Sequence, residues 1–397
     1  MESLIEITKC EVCDSDEINP VLDLGLHPLC DDLVPENDER ICKEYPIDIY
    51  FCNNCKTAHQ KYQVPKKELF QFDYHYRARM TGSVLQGMQE LVFSVENFRG
   101  NLNGFKVLDI GCNDGSLLDF FKEKGCDTFG VEPTSAALDS SHRTINDFFD
   151  ETIAKRLLSD IGKFDIITFT NVFAHIEDLN GLIDNLKLIL KEDGTLVIEN
   201  HYLGAVIRTG QFDTFYHEHP RTYSEESFRF IAKKLDRNLS KIEYVSRYGG
   251  NIRVFIDNNK EVQKIQNEDN FESELIKMQN DISIWKSDMS NKILSLNKKF
   301  GPIVAKAFPG RAAILIKLLD LNESNISAVY EITGSIKINH YVPGTRIPIR
   351  PEKELFELTD KPKIILNLGW HISNEVKANL QKNNIESEII DIKELKQ

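Results

Sequence analysis

The sequence lacks the features of a membrane-spanning or exported protein. Its 397 residues contain no apolar run of about 18 residues, so we expect no transmembrane helix. The N-terminus, MESLIEITKC, has no basic segment followed by an apolar core, so we expect no signal peptide and a cytoplasmic location. Internal repeats and low-complexity tracts are also lacking. These absences favour a globular protein of several domains.

Basic residues are fewer than acidic residues. The chain has 48 Lys and Arg against 62 Asp and Glu, which gives a net charge of −14. We therefore expect neither nucleic acid nor a membrane as a partner, although a local basic groove stays compatible with this charge. The predicted partner is a small molecule, bound by a monomer or a small homo-oligomer.

The cysteines do not form the pattern of a disulfide framework. Of eight cysteines, Cys10, Cys13, Cys52 and Cys55 form two C-x-x-C pairs in a segment rich in turn residues. Four thiolates at this spacing suit one tetrahedral, structural Zn²⁺, which a unit too small for its own core would need. The alternatives are reduced thiols without metal and, less favoured, a redox pair.

The segment from 107 to 115, VLDIGCNDG, predicts a buried strand, a glycine loop and the start of a helix. About 20 residues later a second strand ends at Glu132, where an acid can accept the two hydroxyls of a ribose. The loop has the spacing Gly111-x-x-x-Gly115 and an acid inside it, not the G-x-G-x-x-G of dinucleotide sites. An acid repels a pyrophosphate but suits the ammonium of a methionyl group.

This loop resembles the first motif of class I S-adenosylmethionine methyltransferases. Asp147 follows the third predicted strand, where it could accept the adenine amino group, and Phe148 could cover the ring. An ordinary loop acid is an equally open reading of Asp147, and a structural turn remains the alternative for the glycine loop. The candidate cofactor-binding residues are Asp109, Gly111, Asn113, Gly115, Glu132, Asp147, Phe148 and Asn171.

Short apolar strands alternate with helices through the middle of the chain. The predicted strands are 106–110, 128–132, 143–146, 164–169 and 195–200. This alternation predicts a parallel sheet with helices on both faces. Helical spacing over 260–298 predicts one or two long helices, and strands at 303–308, 326–332 and 363–367 predict a smaller α/β unit.

Titratable side chains concentrate after the fourth and fifth predicted strands. Asn171 and His175 follow the fourth, and the segments ENHY, QFDTFYHEH and RTY follow the fifth, between residues 199 and 223. Ligands of open α/β sheets bind at the carboxyl ends of strands, so this cluster predicts a catalytic cleft. His217 and His219 could instead bind a metal, but the H-E-x-x-H spacing is absent.

Five segments together resemble the three-domain, zinc-containing S-adenosylmethionine-dependent sugar C-methyltransferases, which act at C-3 of nucleotide-linked 4-keto-deoxysugars. They are the paired C-x-x-C start, VLDIGCNDG, NVFAHIED, QFDTFYHEH and YVPGTRIPI. The resemblance implies a class I methyltransferase Rossmann-like parallel sheet, an N-terminal zinc-binding domain and a C-terminal smaller α/β domain. We place these domains at 76–258, 1–75 and 259–397, the last including a helical linker. The implied cofactors are S-adenosylmethionine and one structural Zn²⁺.

The resemblance also implies roles for individual residues. His219 would be the general base that forms an enolate, with Tyr216, His217 and Glu218 beside it and His175 facing the substrate. The residues expected to bind the sugar nucleotide are Tyr76, Asn200, His201, Tyr202, Arg311, Tyr341 and Arg346.

The third domain departs from the family pattern. The loop after its first strand usually reads G-x-x-A-K-G-N, but residues 301–311 here lack the asparagine and end at Arg311. Arg311, Lys337 or Arg346 could hold a diphosphate instead. Two other functions stay open: an O- or N-methyltransferase that acts on a sugar or related metabolite, and a zinc-bearing scaffold that binds S-adenosylmethionine without turnover.

Overall fold

The first β-sheet is antiparallel and contains the two cysteine pairs. The computed structural model describes residues 4–69, 77–80 and 82–394. Alternate residues of the central strand of this sheet, among them Ile47, Ile49 and Phe51, are buried, as expected for a strand with one face on a core. The elements of this N-terminal region are β1 (Ile5–Glu6), β2 (Ile18–Pro28), β3 (Val34–Pro35), β4 (Glu44–Cys52), β5 (Thr57–Gln60), β6 (Tyr62–Gln63) and α1 (Lys66–Leu69).

The second sheet has seven strands in the order β9-β8-β7-β10-β11-β14-β13. The elements of this middle region are α2 (Gly82–Arg99), β7 (Lys106–Ile110), α3 (Ser116–Glu123), β8 (Asp127–Val131), β9 (Arg143–Ile145), α4 (Glu151–Asp160), β10 (Phe164–Thr170), α5 (Leu179–Ile189), β11 (Leu190–His201), α6 (Leu203–Thr209), β12 (Arg221–Thr222), α7 (Glu225–Lys234), β13 (Asn238–Val245) and β14 (Asn251–Asp257). All five strands predicted for this region are present, and the class I Rossmann-like fold is confirmed.

Helices cover both faces of this sheet because neighbouring strand residues point to opposite sides. Val107 and Ile166 pack in a core with α2 and α3. Leu108 and Ile167, one residue later in each strand, pack in the core that contains α4, α5 and α7. Strands buried on both faces read as continuous apolar runs, which is why they were recognisable in the sequence.

The last two strands of the sheet, β13 and β14, were not predicted. The strand β14 is buried along its whole length and runs antiparallel to both neighbours, whereas the other pairings are parallel. The short link from Val245 to Asn251 explains why β13 and β14 are antiparallel to each other, because a parallel pair would need a crossover of a dozen or more residues.

The third sheet is parallel throughout, in the order β18-β16-β15-β19-β20. The elements of this C-terminal region are α8 (Phe271–Phe300), β15 (Ile303–Lys306), α9 (Ala312–Leu318), β16 (Ile326–Glu331), β17 (His340–Tyr341), β18 (Ile349–Pro351), α10 (Glu352–Glu357), β19 (Ile364–Asn367), α11 (Ser373–Lys382) and β20 (Glu388–Asp391). The predicted smaller α/β unit is therefore present, and the predicted linker helix is the single helix α8.

Two short strands join the N-terminal region to the other two. The strand β12 of the middle region is the edge strand of the first sheet, where it pairs with β5. The strand β17 of the C-terminal region pairs with β3. Within the described ranges, no helix has both the length and the apolar character that crossing a bilayer requires.

Candidate active site

A cavity of about 2060 Å³ lies between the middle and C-terminal regions. Its walls include residues that follow β7, β8, β10 and β11 on one side and β15 and β16 on the other. The cavity thus lies at the carboxyl ends of parallel strands in both sheets, where open α/β sheets bind ligands. Pockets of about 300–1,000 Å³ hold one drug-sized ligand, so this cavity has room for two.

The glycine loop after β7 forms one end of the cavity and requires its glycines. Gly111 has φ +73°, and a Cβ atom there would lie 2.5 Å from the side chain of Val172. Gly115 has φ +81° and is the N-cap of α3, outside the cavity wall. Between them the backbone N–H of Asn113 donates to Glu132 at 3.0 Å. The loop therefore keeps its backbone close to any ligand that lies over it.

Two predicted acids of the cofactor site line the cavity. The Asp109 carboxylate accepts a hydrogen bond from Thr168 at 2.7 Å, and burial raises the pKa of Asp109 to about 7. The Glu132 carboxylate accepts from the backbone and hydroxyl of Thr134 at 3.0 and 2.6 Å. Each carboxylate oxygen has two lone pairs, so Glu132, held in place by Thr134 and Asn113, can still accept ribose hydroxyls.

Of the two residues predicted to contact adenine, Asp147 and Phe148, only Phe148 lines the cavity. Phe148 lines the cavity, and the Lys66 ammonium lies 4.8 Å from the centre of its ring. Asp147 is exposed, does not line the cavity, and accepts from the backbone N–H of Phe148 at 2.8 Å. Asn171 lines the cavity, and its side-chain oxygen accepts from Asn251 at 3.0 Å.

Four aromatic side chains form a cluster in the cavity wall. The ring centre of His219 lies 4.3 Å from that of Tyr216, 4.7 Å from His175 and 5.7 Å from His201. Asn200 and Glu218 line the same cavity. The structure thus brings together residues from the ends of β10 and β11 and from the loop before β12.

The hydrogen bonds of two histidines determine which ring nitrogen carries a proton. His219 Nδ1 lies 2.9 Å from the carbonyl of Thr214, and His175 Nδ1 lies 2.7 Å from the carbonyl of Glu218. A carbonyl only accepts, so each Nδ1 is the donor, and the basic nitrogen of neutral His219 is Nε2. Burial lowers the pKa of His219 well below its ordinary value and that of His175 to about 4. His219 is therefore neutral at pH 7.

Tyr216 and Glu218 line the cavity together with His219, and burial favours the protonated form of both. Burial raises the pKa of the Tyr216 phenol well above its usual range. Burial, together with the negative charge of Asp31, also raises the pKa of the Glu218 carboxyl well above its usual range. The Tyr216 phenol therefore keeps its proton near neutral pH, and either group in its protonated form can donate to an oxygen that becomes negatively charged.

Arg311 lines the opposite wall and is fixed by an acid that the sequence analysis missed. Its Nε and Nη2 each lie 2.8 Å from a carboxylate oxygen of Asp213, and its guanidinium lies 5.1 Å from the Trp370 ring centre. Burial alone would raise the pKa of Asp213, but the charge and hydrogen bonds of Arg311, the charge of Lys393 and the Trp370 hydrogen bond together outweigh it and hold that pKa below the usual value. Asp213 lies within the segment QFDTFYHEH, and this position could have indicated that its carboxylate belongs to the site.

Three residues predicted to bind substrate lie outside the cavity, which corrects those predictions. The hydroxyl of Tyr202 donates to Glu268 at 2.9 Å within the core. Tyr341 and Arg346 instead bind the backbone of the N-terminal region: the Tyr341 hydroxyl donates to the carbonyl of residue 36, and Arg346 donates to those of residues 38–40. Strand alternation turns Tyr202 away from the side that His201 faces. Tyr76 lies outside the described residues.

His217 also points away from the predicted catalytic centre. It is buried, but it does not line the cavity, and its Nε2 donates to the backbone carbonyl of Tyr45 at 3.1 Å. The prediction that it takes part in catalysis is not supported by this position. Burial lowers the pKa of His217 to about 4.

His217 should therefore contribute a measurable part of the acid sensitivity of the fold. The pKa of this ring is about 6.5 in the unfolded chain and about 4 in the folded chain. The unfolded state therefore binds a proton first as the pH falls, and the free energy of unfolding decreases between these two values. We expect wild type to lose about 2 kcal/mol more than His217→Gln between pH 7 and pH 5. Urea unfolding of both proteins at both pH values measures the difference, and an equal loss in both would contradict the assigned pKa.

Several cavity residues had no signal in the sequence analysis. Cys30, Asp31 and Lys66 come from the N-terminal region, and Arg247 comes from the β13–β14 connection, where it pairs with the buried Glu199. The first three side chains reach the cavity through contacts between regions, and Arg247 through a contact with a strand distant in the sequence; local sequence patterns reveal neither.

The four predicted zinc ligands lie together, and none of them lines the cavity. One ligand atom from each of Cys10, Cys13, Cys52 and Cys55 falls within 4.8 Å of all the others. The Sγ atoms of Cys10 and Cys55 are 3.4 Å apart, and those of Cys13 and Cys52 are 3.5 Å apart. Four thiolates around one point fit a closed tetrahedral zinc site of the structural kind.

Comparisons with known proteins agree with this three-part arrangement. Residues 10–70 match the family "Putative zinc binding domain", residues 76–240 match "Methyltransferase domain", and residues 246–388 match "C-methyltransferase C-terminal domain". The chain therefore contains a methyltransferase domain between the other two matched segments. The predicted cofactors, S-adenosylmethionine at the glycine loop and zinc at the four cysteines, fit the residues present.

Individual relatives share only part of their length with the chain. The C-methyltransferase NovU of Streptomyces niveus is 27% identical over 63% of this chain and 60% of its own length. A ubiquinone biosynthesis O-methyltransferase of Glaesserella parasuis is 34% identical over 24% of this chain and 45% of its own. The structure of magnesium protoporphyrin IX methyltransferase from Synechocystis PCC 6803 with bound SAH covers 43% of this chain and 83% of its own, with 18% identity and a TM-score of 0.33.

Proposed function

We propose that the protein transfers a methyl group from S-adenosylmethionine to a carbon beside the ketone of a nucleotide-linked keto-deoxysugar. The observation that carries this proposal is the neutral, buried His219, surrounded by neutral donors in the same cavity as the glycine loop. The match of the C-terminal region to a C-methyltransferase domain supports transfer to carbon.

The residue types suit the removal of a proton from carbon. A C–H group beside a ketone is a weak acid, so its proton needs a base held close to it. Nε2 of His219 takes this proton, while Nδ1–H stays bonded to the carbonyl of Thr214. The Tyr216 hydroxyl donates to the enolate oxygen that forms. A single donor of this kind in an oxyanion hole lowers the activation free energy by about 3 kcal/mol.

S-Adenosylmethionine, when bound, supplies an electrophilic methyl group. Asp109, Glu132 and Phe148 would hold it beside the glycine loop, and His175, Asn200 and His201 would bind the sugar beside His219. The volume of the cavity allows both molecules to bind together.

The C-terminal wall offers cations for the phosphates of the nucleotide. Nε and Nη2 of Arg311 donate to the carboxylate of Asp213, so we propose that Nη1 donates to the diphosphate. Lys337 also lines this wall, and its ammonium donates to the carbonyl of Phe308 at 3.0 Å. Both charges are held by the protein before the substrate arrives.

The position of the transferred methyl group tests the proposal. The protein is incubated with ¹³C-methyl S-adenosylmethionine and a nucleotide-linked 4-keto-6-deoxysugar, and NMR identifies the atom that bears the label. We expect a carbon-bound methyl, and deuterium at the same carbon when the donor is omitted in D₂O. A methyl on oxygen or nitrogen would replace the proposal with the O- or N-methyltransferase alternative.

A further inference from the structure

The loop that carries His219 is held from outside the cavity by the N-terminal region. Immediately after this loop, Arg221 in β12 pairs with His59 in β5. The backbone N–H of Gln60 donates to the carbonyl of Pro220 at 2.8 Å, and its side chain donates to the carbonyl of Tyr216 at 3.3 Å. The segment on both sides of His219 is therefore bonded to the region that holds the four cysteines.

Arg221 makes the closest link to the cysteine cluster. Its side chain is fully buried, and its Nη1 lies 2.7 Å from the carboxylate of Glu11, which lies between Cys10 and Cys13. A buried guanidinium needs a counter-charge, and removal of one partner leaves the other charge unpaired. The Glu11 carboxylate also accepts a hydrogen bond from the side chain of Gln63 at 2.8 Å, which holds the carboxylate in place beside Arg221.

The same guanidinium also holds the segment that follows His175. It donates to the carbonyls of Ile176 and Glu177, the two residues directly after that histidine. His175 in turn donates to the carbonyl of Glu218, the neighbour of His219. A continuous series of bonds thus runs from the cysteine cluster through Arg221 and His175 to the base.

We propose that Glu11 and Arg221 are positioning residues for the pair His175 and His219, an inference that rests on the proposed function. Neither residue lines the cavity. Their ion pair fixes the two segments whose histidine rings lie 4.7 Å apart. A displacement of about 1 Å in a catalytic group can lower the rate about 100-fold, so this spacing matters for turnover. The N-terminal region then acts on catalysis without touching the reacting atoms.

Glu11→Gln tests the proposal because it removes the charge but keeps an oxygen that can accept from Arg221. We expect kcat to fall about 10- to 100-fold. The KM values for both substrates should change by less than about threefold, and the zinc content should stay the same, because neither site contains Glu11. The matched control is Lys234→Gln, which breaks the 2.8 Å contact of Lys234 with Asp14. That contact joins the same two regions through α7, so its loss should leave kcat within about twofold of wild type.

A second measurement does not depend on the substrate. In ¹⁵N-histidine NMR of the resting protein, the Nδ1–H signals of His175 and His219 should shift in Glu11→Gln and stay unchanged in Lys234→Gln. If Glu11→Gln does not fold, Arg221→Lys keeps the cation but not the fork of donors, and the same losses are expected. The proposal is overturned if kcat and both signals of the folded variant match the control. If wild type itself methylates no keto-sugar, the proposed function fails, while the NMR signals still decide whether Glu11 orders the two rings.

Discussion

Replacement of His219 by asparagine is expected to lower turnover by about 10²- to 10⁴-fold and to leave the affinity for S-adenosylmethionine within about twofold. The range is that of general-base catalysis by a positioned side chain. Asparagine can still donate to the carbonyl of Thr214, so the loop should keep its shape. The residues assigned to the cofactor lie elsewhere in the chain, among them Asp109 in β7 and Glu132 directly after β8.

Two measurements separate this effect from a general loss of structure. Turnover is measured with the keto-sugar, and the dissociation constant of S-adenosylmethionine is measured by calorimetry on the same preparation. His340→Asn is the matched control, because His340 lies in the β17–β3 pairing and not in the cavity wall. We expect it to turn over within about twofold of wild type. Turnover of His219→Asn within a few fold of wild type would show that another group is the base.

The parts of the fold that the sequence revealed are those governed by local rules. Buried parallel strands are continuous apolar runs, so the strands from 106 to 201 were found to within a few residues of their observed ends. Paired cysteines and a glycine loop have a fixed spacing because a metal and a close backbone approach require it. The cluster of His175, His201, Tyr216 and His219 was predictable because the carboxyl ends of neighbouring parallel strands meet at one edge.

Side-chain directions outside regular strands were not predictable. His217 and His219 are two residues apart in the sequence, yet one binds the carbonyl of Tyr45 and the other lines the cavity. In the same way, Arg346 binds backbone carbonyls of the N-terminal region, whereas Arg311 lines the cavity. These directions depend on how the regions pack, which a residue pattern within one region does not contain.

Removal of zinc is expected to unfold the N-terminal region and, through it, to abolish most turnover. Structural zinc in small units contributes about 10–16 kcal/mol of apparent folding free energy at pH 7, which exceeds the stability of most domains. Because β5 of this region pairs with β12 shortly after His219, unfolding of the N-terminal region should disorder the loop that carries His219. The glycine loop belongs to a different sheet and should still bind S-adenosylmethionine.

The variant Cys52→Ser should have the same effect as a chelator, whereas Cys42→Ser, which changes a cysteine outside the cluster, should keep its zinc. Hydrogen exchange measures the outcome: residues 4–69 and the 216–223 segment should lose protection together in Cys52→Ser and in chelated wild type. Retained protection in the 216–223 segment after zinc loss would show that the catalytic loop is ordered without the N-terminal region.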